Sequence, residues 1–170
     1  MTEKKPALGL NSADGAIAYL LLRIIVGVNY FNHGFVRIGS MDGFARAMVE
    51  RFKDTFLPEP IVYLTGLAVT PVEFVVGILI TIGWLTRSAL IATLGLMVIL
   101  MYGVTLLQDW GTAASQLVYD LILFVLLAGL GYNIYSVDYR LGGGQKKPGR
   151  SGDSAIAPFR HGRHTPSPNP

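Results

Sequence analysis

Four long apolar stretches dominate the chain. They cover residues 16–38, 61–85, 88–107 and 113–134. Each has about 20 residues or more, the length that crosses a hydrocarbon core of roughly 30 Å. Because a segment in lipid must satisfy its own backbone hydrogen bonds, each stretch is predicted to be an α-helix. The pattern therefore predicts an all-α fold, an integral membrane four-helix bundle.

The connection between the first two spans carries a helical pattern of its own. Large apolar side chains recur there every four residues, at Phe44, Met48, Phe52 and Phe56. This spacing predicts an amphipathic helix in the first outer loop, which either lies on the membrane surface or caps the bundle. A surface helix with no role beyond closing the bundle explains the same pattern.

The two ends of the chain differ from the membrane domain, which is predicted to cover residues 16–141. Residues 1–15 are predicted to be a short cytoplasmic segment. Residues 142–170 hold five of the nine prolines, with glycine, serine and basic residues between them. This composition is typical of a disordered segment, and we expect a flexible basic cytoplasmic tail.

Composition narrows the class of protein further. Hydrophobic residues make up 51% of the chain and charged residues 15%, whereas a soluble domain carries about 25% charged residues. This balance excludes an ordinary soluble enzyme. Cysteine is absent, so the chain has no disulfide, thiolate metal site or thiol nucleophile of its own.

Lysine and arginine predict the orientation. With four spans, both termini share a side, and that side holds nine basic residues: Lys4, Lys5, Arg87, Arg140, Lys146, Lys147, Arg150, Arg160 and Arg163. The opposite side holds four: Arg37, Arg46, Arg51 and Lys53. The positive-inside rule then places both termini in the cytoplasm, and the protein in the plasma or inner membrane as a multi-pass protein.

Several polar residues fall inside the predicted spans. A charged side chain there costs several kcal/mol on most scales, which makes it a candidate for function. The charged or titratable ones are Arg23, His33, Glu73 and Asp120, and the polar aromatic ones are Tyr30, Tyr102 and Tyr119. An internal ion pair that only fixes helix packing is the competing explanation.

Small and polar residues share one stripe on each of the first two spans. The stripe on the first span has Arg23, Gly27, Tyr30, Gly34 and Arg37, and that on the second has Gly66, Thr70, Glu73, Gly77, Thr81 and Trp84. Small residues let membrane helices approach closely, and polar ones then bond across. We expect the two stripes to face each other and Arg23 to pair with Glu73. Pro71 is expected to kink the second span.

His33, Tyr102 and Asp120 are expected at one depth. At a rise of about 1.5 Å per residue, each lies roughly 21 to 25 Å from the cytoplasmic side. A histidine, a phenol and an acid at one level can relay protons or bind a polar head group. A satisfied hydrogen-bond network without chemistry explains the same placement.

Three segments resemble a known family. LLRIIVGVNYFNHGFVRIG in the first span, VEFVVGILITIGWLTRSAL in the second and GYNIYSVD after the fourth are similar, in this order and spacing, to the DoxX family. The resemblance covers roughly residues 16–141. It implies a small four-helix membrane protein, related to the DoxD-type subunit of thiosulfate:quinone oxidoreductase.

The resemblance also implies site residues. Arg23, His33 and Glu73 match recurrent polar positions of the family, and Asp138 matches its closing acid. Many members have a histidine near the outer end of the third span, where this chain has Met101–Tyr102–Gly103. A mechanism that needs two intramembrane histidines therefore does not carry over.

Together these observations lead to one functional hypothesis and two alternatives. The first is a membrane subunit of a redox or respiratory complex that interacts with a quinone, with His33, Glu73 and Asp120 as catalytic candidates and Tyr30 and Tyr102 as quinone-binding candidates. Its expected partners are membrane lipid and other redox proteins. The alternatives are a non-catalytic accessory or assembly subunit of a larger membrane complex and, last, a small transporter. Neither a metal site nor nucleic-acid binding is expected.

Overall fold

The computed structural model describes residues 11–142. Most of the predicted cytoplasmic segment and all but the first residue of the predicted tail lie outside the described residues. Within them, the long helices are α1 (Ser12–Phe35), α2 (Met41–Phe52), α3 (Glu59–Ile82), α4 (Thr86–Leu106) and α5 (Trp110–Ala128). A short helix, α6, covers Val137–Arg140.

Four of these helices, α1, α3, α4 and α5, include stretches that are long and apolar enough to cross a membrane. This confirms the all-α, four-span prediction. The helix bounds differ most at the end of the fourth span, which was expected to reach residue 134. There α5 ends at Ala128, and a 3-10 turn follows over Leu130–Tyr132. Gly129 and Gly131 flank the start of this turn, and glycine weakens a helix interior.

The amphipathic helix predicted in the first outer loop is α2. A 3-10 turn at Ile38–Ser40 connects α1 to α2. The buried side chains of α2 include Ala45 and Phe52. It packs mainly against α3, where Gly66 approaches the Ala45 backbone closely. Of the two arrangements that the sequence left open, the structure shows the one in which this helix caps the bundle.

Glycine brings the backbones of α1 and α3 together. A Cβ added at Gly27 would lie 2.6 Å from the Thr81 backbone nitrogen, and one at Gly34 would lie 2.7 Å from the Phe74 Cα atom. Such distances are shorter than any real Cβ contact, so only glycine fits at these positions. The two stripes predicted from the sequence therefore do face each other. The α3 helix continues through Pro71, although that residue donates no backbone hydrogen bond.

The expected ion pair between Arg23 and Glu73 is wrong. Because α1 and α3 run antiparallel with Gly34 against Phe74, Arg23 lies beside Gly83, just beyond the end of α3. Gly83 is ten residues after Glu73, which is about 15 Å along a helix. The guanidinium of Arg23 instead donates to the Asn133 Oδ1 atom at 3.1 Å and to the Tyr135 carbonyl at 2.9 Å.

The segment after α5 forms hydrogen bonds both with Arg23 and with the start of α4. The Asp138 carboxylate accepts hydrogen bonds from the backbone nitrogens of Leu85, at 2.7 Å, and Thr86, at 2.8 Å. The Asp138 backbone nitrogen donates to the Gly83 carbonyl at 2.9 Å. Asn133 donates to the Thr86 hydroxyl at 3.1 Å. Polar groups that helix ends leave free are thus satisfied on this side of the bundle.

We expect Gly77→Leu to lower the free energy of unfolding by about 1–3 kcal/mol, since a Cβ at Gly77 would lie 2.6 Å from the Phe31 Cα atom. Unfolding in one detergent measures the change. Gly95→Leu is the matched control on α4, because a Cβ there meets nothing within 4 Å. An equal loss in both variants would contradict the tight α1–α3 contact.

Asp138→Ala is expected to destabilise the protein by about 1–2 kcal/mol, because it removes both acceptors at the start of α4. Asp138→Asn should cost less, since its amide oxygen still accepts one of the two bonds. Hydrogen exchange at the Leu85 and Thr86 amides reads out the loss directly. Unchanged exchange in Asp138→Ala would show that the carboxylate does not cap α4; Asp54→Ala, exposed and outside the helices, is the control.

Candidate functional site

A cavity of about 480 Å³ lies among the four spanning helices beneath α2. Every one of these five helices contributes to its wall, including Tyr30 of α1, Phe52 of α2, Glu73 of α3, Met97 of α4 and Gln116 of α5. This volume falls in the range of about 300–1,000 Å³ that small-molecule sites occupy. The cavity is therefore large enough for an aromatic ring with part of an aliphatic chain.

Most of the cavity wall is apolar. The buried apolar side chains of this wall are Phe52, Val62, Val69, Met97 and Val104. Gly103 leaves room on α4, and the Phe52 ring of α2 lies against it. A wall of this kind favours a flat or chain-like apolar group, and the few polar side chains then fix the orientation of the bound ligand.

A charged pair lies at the polar side of the cavity. Arg37 donates to the Glu73 Oε2 atom at 2.8 Å, and the Glu73 side chain is only 7% exposed, against 28% for Arg37. Arg37 lies just beyond the end of α1, and the antiparallel register of α1 and α3 places it opposite Glu73. Its guanidinium also lies 4.5 Å from the centre of the Phe44 ring.

His33 lies next to this pair. Its Nδ1 atom is 3.5 Å from the Arg37 Nη2 atom. Because arginine only donates hydrogen bonds, Nδ1 is the accepting nitrogen, and the proton of a neutral imidazole then sits on Nε2. His33 lines the cavity and is also exposed at its border. It can therefore exchange a proton between the surface and the polar side of the cavity.

Two polar atoms of the cavity wall are buried without a hydrogen-bond partner among the described residues. They are the Tyr30 hydroxyl oxygen and the Gln116 Oε1 atom. The Tyr30 ring is buried and meets the Tyr119 ring edge-on, with ring centres 6.5 Å apart. A buried polar group without a partner costs roughly 1–3 kcal/mol, so a ligand that supplies one gains affinity.

An ion pair connects α2 to the start of α5 near the same cavity. Arg51 donates to the Asp109 Oδ2 atom at 2.5 Å. Asp109 also accepts from the Thr112 backbone nitrogen at 3.1 Å and from its hydroxyl at 2.7 Å. These bonds hold the pKa of Asp109 below its usual range, and the bond from the Thr112 amide has the largest effect. The carboxylate thus remains charged at neutral pH and keeps α2 over the cavity.

The structure brings together five of the titratable and polar aromatic residues singled out within the predicted spans. Those that line the cavity are Tyr30, His33, Glu73, Tyr102 and Tyr119. Asp120 does not belong to its lining, although its Oδ1 atom is buried and has no hydrogen-bond partner within residues 11–142. The chemical roles assigned to these residues stay predictions.

Two residues of the site were not identified from the sequence. Arg37 was placed on the polar stripe of the first span, but its pairing with Glu73 was not foreseen. A spacing of four residues from His33 was the available signal. Gln116 was not singled out, and as an uncharged amide in an apolar helix it offered only a weak signal.

Comparison with known proteins gives one match. The model of the family described as DoxX matches residues 18–108. No curated protein matches, and no solved structure matches. The matched range contains most of α1, all of α2, α3 and α4, and therefore the Arg37–Glu73 pair. Gln116 and Tyr119 of α5 lie outside it.

We expect Arg37→Met to destabilise the protein more than Glu73→Gln. Removal of the arginine leaves a carboxylate buried without its partner, which costs about 3–5 kcal/mol. Removal of the carboxylate leaves an arginine that is already partly exposed. Unfolding of both variants and of the double variant measures the coupling. The double variant should recover stability relative to Arg37→Met, and additive losses would contradict the pair.

Proposed function

The chain belongs to the DoxX family of membrane proteins, and from this premise we propose that it is a subunit of a membrane redox complex that binds a quinone in the cavity beneath α2. The observation that carries the proposal is the buried Tyr30 hydroxyl, which has no hydrogen-bond partner among the described residues and belongs to the wall of a mostly apolar cavity. The family match supports a membrane subunit, and the quinone is the finer part of the proposal.

The residues present fit a quinone. A quinone has a flat apolar ring, carbonyl oxygens that only accept hydrogen bonds, and an aliphatic tail. The Tyr30 hydroxyl can donate to one carbonyl, and the Gln116 amide can donate through its nitrogen after a rotation that exchanges it with Oε1. Met97 and Val69 supply the apolar surface for the ring.

A bound quinone supplies chemistry in which two electrons and two protons are taken up or released. The side chains of this protein orient the ring and handle protons. Tyr30 fixes a carbonyl through its O–H group. Arg37, held by Glu73, puts positive charge near the polar side of the cavity, and His33 exchanges protons at its border. Asp120 is left out of the proposal because it does not line the cavity.

Electrons reach the site from a partner in this proposal, since a quinone needs a donor or an acceptor. A second membrane or redox protein is the proposed partner, consistent with a chain of this size acting as a subunit. We place both termini in the cytoplasm and the protein in the plasma membrane. The support for this is the nine-to-four division of lysine and arginine between the two sides.

The test is equilibrium binding of decylubiquinone to the purified full chain in nanodiscs. Tyr30→Phe removes only the hydroxyl and is expected to weaken binding about tenfold, the value of one hydrogen bond of about 1.4 kcal/mol. Tyr135→Phe is the matched control, because Tyr135 is exposed and does not line the cavity.

Two results would contradict the proposal. One is an unmodified chain that does not bind decylubiquinone, either alone or together with its co-purified partners. The other is equal binding by the unmodified chain and Tyr30→Phe. An unmodified chain that co-purifies with a large complex and binds no quinone would instead fit the accessory-subunit alternative.

A further inference from the structure

The cavity wall reaches the surface of the bundle between α3 and α4. Three residues that line the cavity are also exposed there: Ile61 of α3, at 56%, and Ile99 and Tyr102 of α4, at 55% and 53%. Each of these side chains therefore stands between the cavity and the outer surface of the bundle. An opening of the cavity on this side lies between them, on the part of α3 and α4 nearer to α2.

This opening faces lipid. Ile99 is 13 residues after Thr86, the first residue of α4, and seven before Leu106, its last residue. At about 1.5 Å per residue it lies roughly 10 Å from the α2 end of a helix that crosses the membrane. Val98, next to it, is also exposed on the membrane-spanning surface. The opening thus lies at a depth where the surroundings are hydrocarbon tails and not water.

A second groove lies between α3 and α4 nearer to the connection at Gly83. It is lined by Val72, Val75 and Leu79 of α3 and by Ala89 and Ala92 of α4. This groove shares no lining residue with the cavity, so it is separate from the opening bordered by Ile61, Ile99 and Tyr102.

On the opposite side the cavity border is polar. His33 of α1 and Ser115 of α5 both line the cavity and are exposed, and Asn29 lies one turn from His33. A hydrocarbon chain that passed between these side chains would take water or polar partners away from them, which costs free energy. The two borders thus differ in the group that each can accommodate.

We propose that the ligand of this cavity enters laterally from the bilayer and is held with its head group at Tyr30 and Gln116 and its aliphatic tail in the opening bordered by Ile61, Ile99 and Tyr102. The proposal rests on the proposed function and specifies the substrate class: a long-tailed, lipid-soluble quinone of the leaflet on the α2 side. A tail in the opening remains in contact with apolar side chains and lipid. A water-soluble quinone without a tail gains none of these contacts.

The test compares decylubiquinone with the same dimethoxy-methyl-benzoquinone ring without its decyl chain, both bound to the full chain in nanodiscs. The quantity measured is the ratio of the two affinities. Partition into lipid is the same for every variant, so a change in this ratio reports on the site. Ile99→Trp fills the opening and is expected to lower the ratio about tenfold, the effect of excluding about two methylene groups.

Two variants serve as controls. Ile91→Trp places the same ring at a half-exposed isoleucine of the same helix that does not line the cavity, and the ratio should not change. Ser115→Trp fills the polar border, and the ratio should again not change. Ile99→Ala, which widens the opening and adds no bulk, should raise the ratio above that of the unmodified chain.

The possible results separate this inference from the proposed function. If both quinones bind but Ile99→Trp leaves the ratio unchanged, or if Ser115→Trp lowers it instead, the lateral path is wrong and the quinone site stands. If neither quinone binds to the unmodified chain, the proposed function fails and the path fails with it. If Ile99→Trp does not fold, a higher ratio for Ile99→Ala than for Ile91→Ala supports the path, and an equal ratio overturns it.

Discussion

Direct backbone contact between α1 and α3 is the constraint on which the other features depend. It requires glycine at Gly27 and Gly34 on one helix and at Gly77 on the other, because a Cβ at any of them would overlap the facing backbone. Interdigitation at this distance permits only one axial register of the two helices. That register carries Arg23 past the end of α3 and sets Arg37 against the buried carboxylate of Glu73.

As a result of this register, the polar groups at the two ends of the bundle have different surroundings. At the end near Gly83, Arg23 and Asp138 bond to carbonyl and amide groups of the turns. At the other end, the polar groups near the cavity include a hydroxyl and an amide oxygen that the described residues leave without partners. Because this hydroxyl and this amide oxygen belong to residues of the cavity wall, the cavity is suited to a polar head group.

Much of this architecture follows from sequence periodicity, and the limits of periodicity explain the rest. Apolar length predicts the four spans, and a spacing of three to four residues predicts which faces of α1 and α3 meet. Periodicity fixes a face but not an axial shift, so it could not decide whether Arg23 or Arg37 meets Glu73. Tyr30, His33, Glu73 and Tyr102 were identifiable as polar groups in apolar spans. Gln116 acquires its significance only from neighbours on other helices.

Photolabelling of the full chain in nanodiscs with an azido-quinone, followed by peptide mapping, tests whether a quinone head group occupies the cavity beneath α2. We expect adducts on the α1 and α5 peptides that carry Tyr30 and Gln116, and their loss when unlabelled decylubiquinone is added. Adducts confined to lipid-facing side chains such as Val98 and Leu121, with no competition by decylubiquinone, would contradict it.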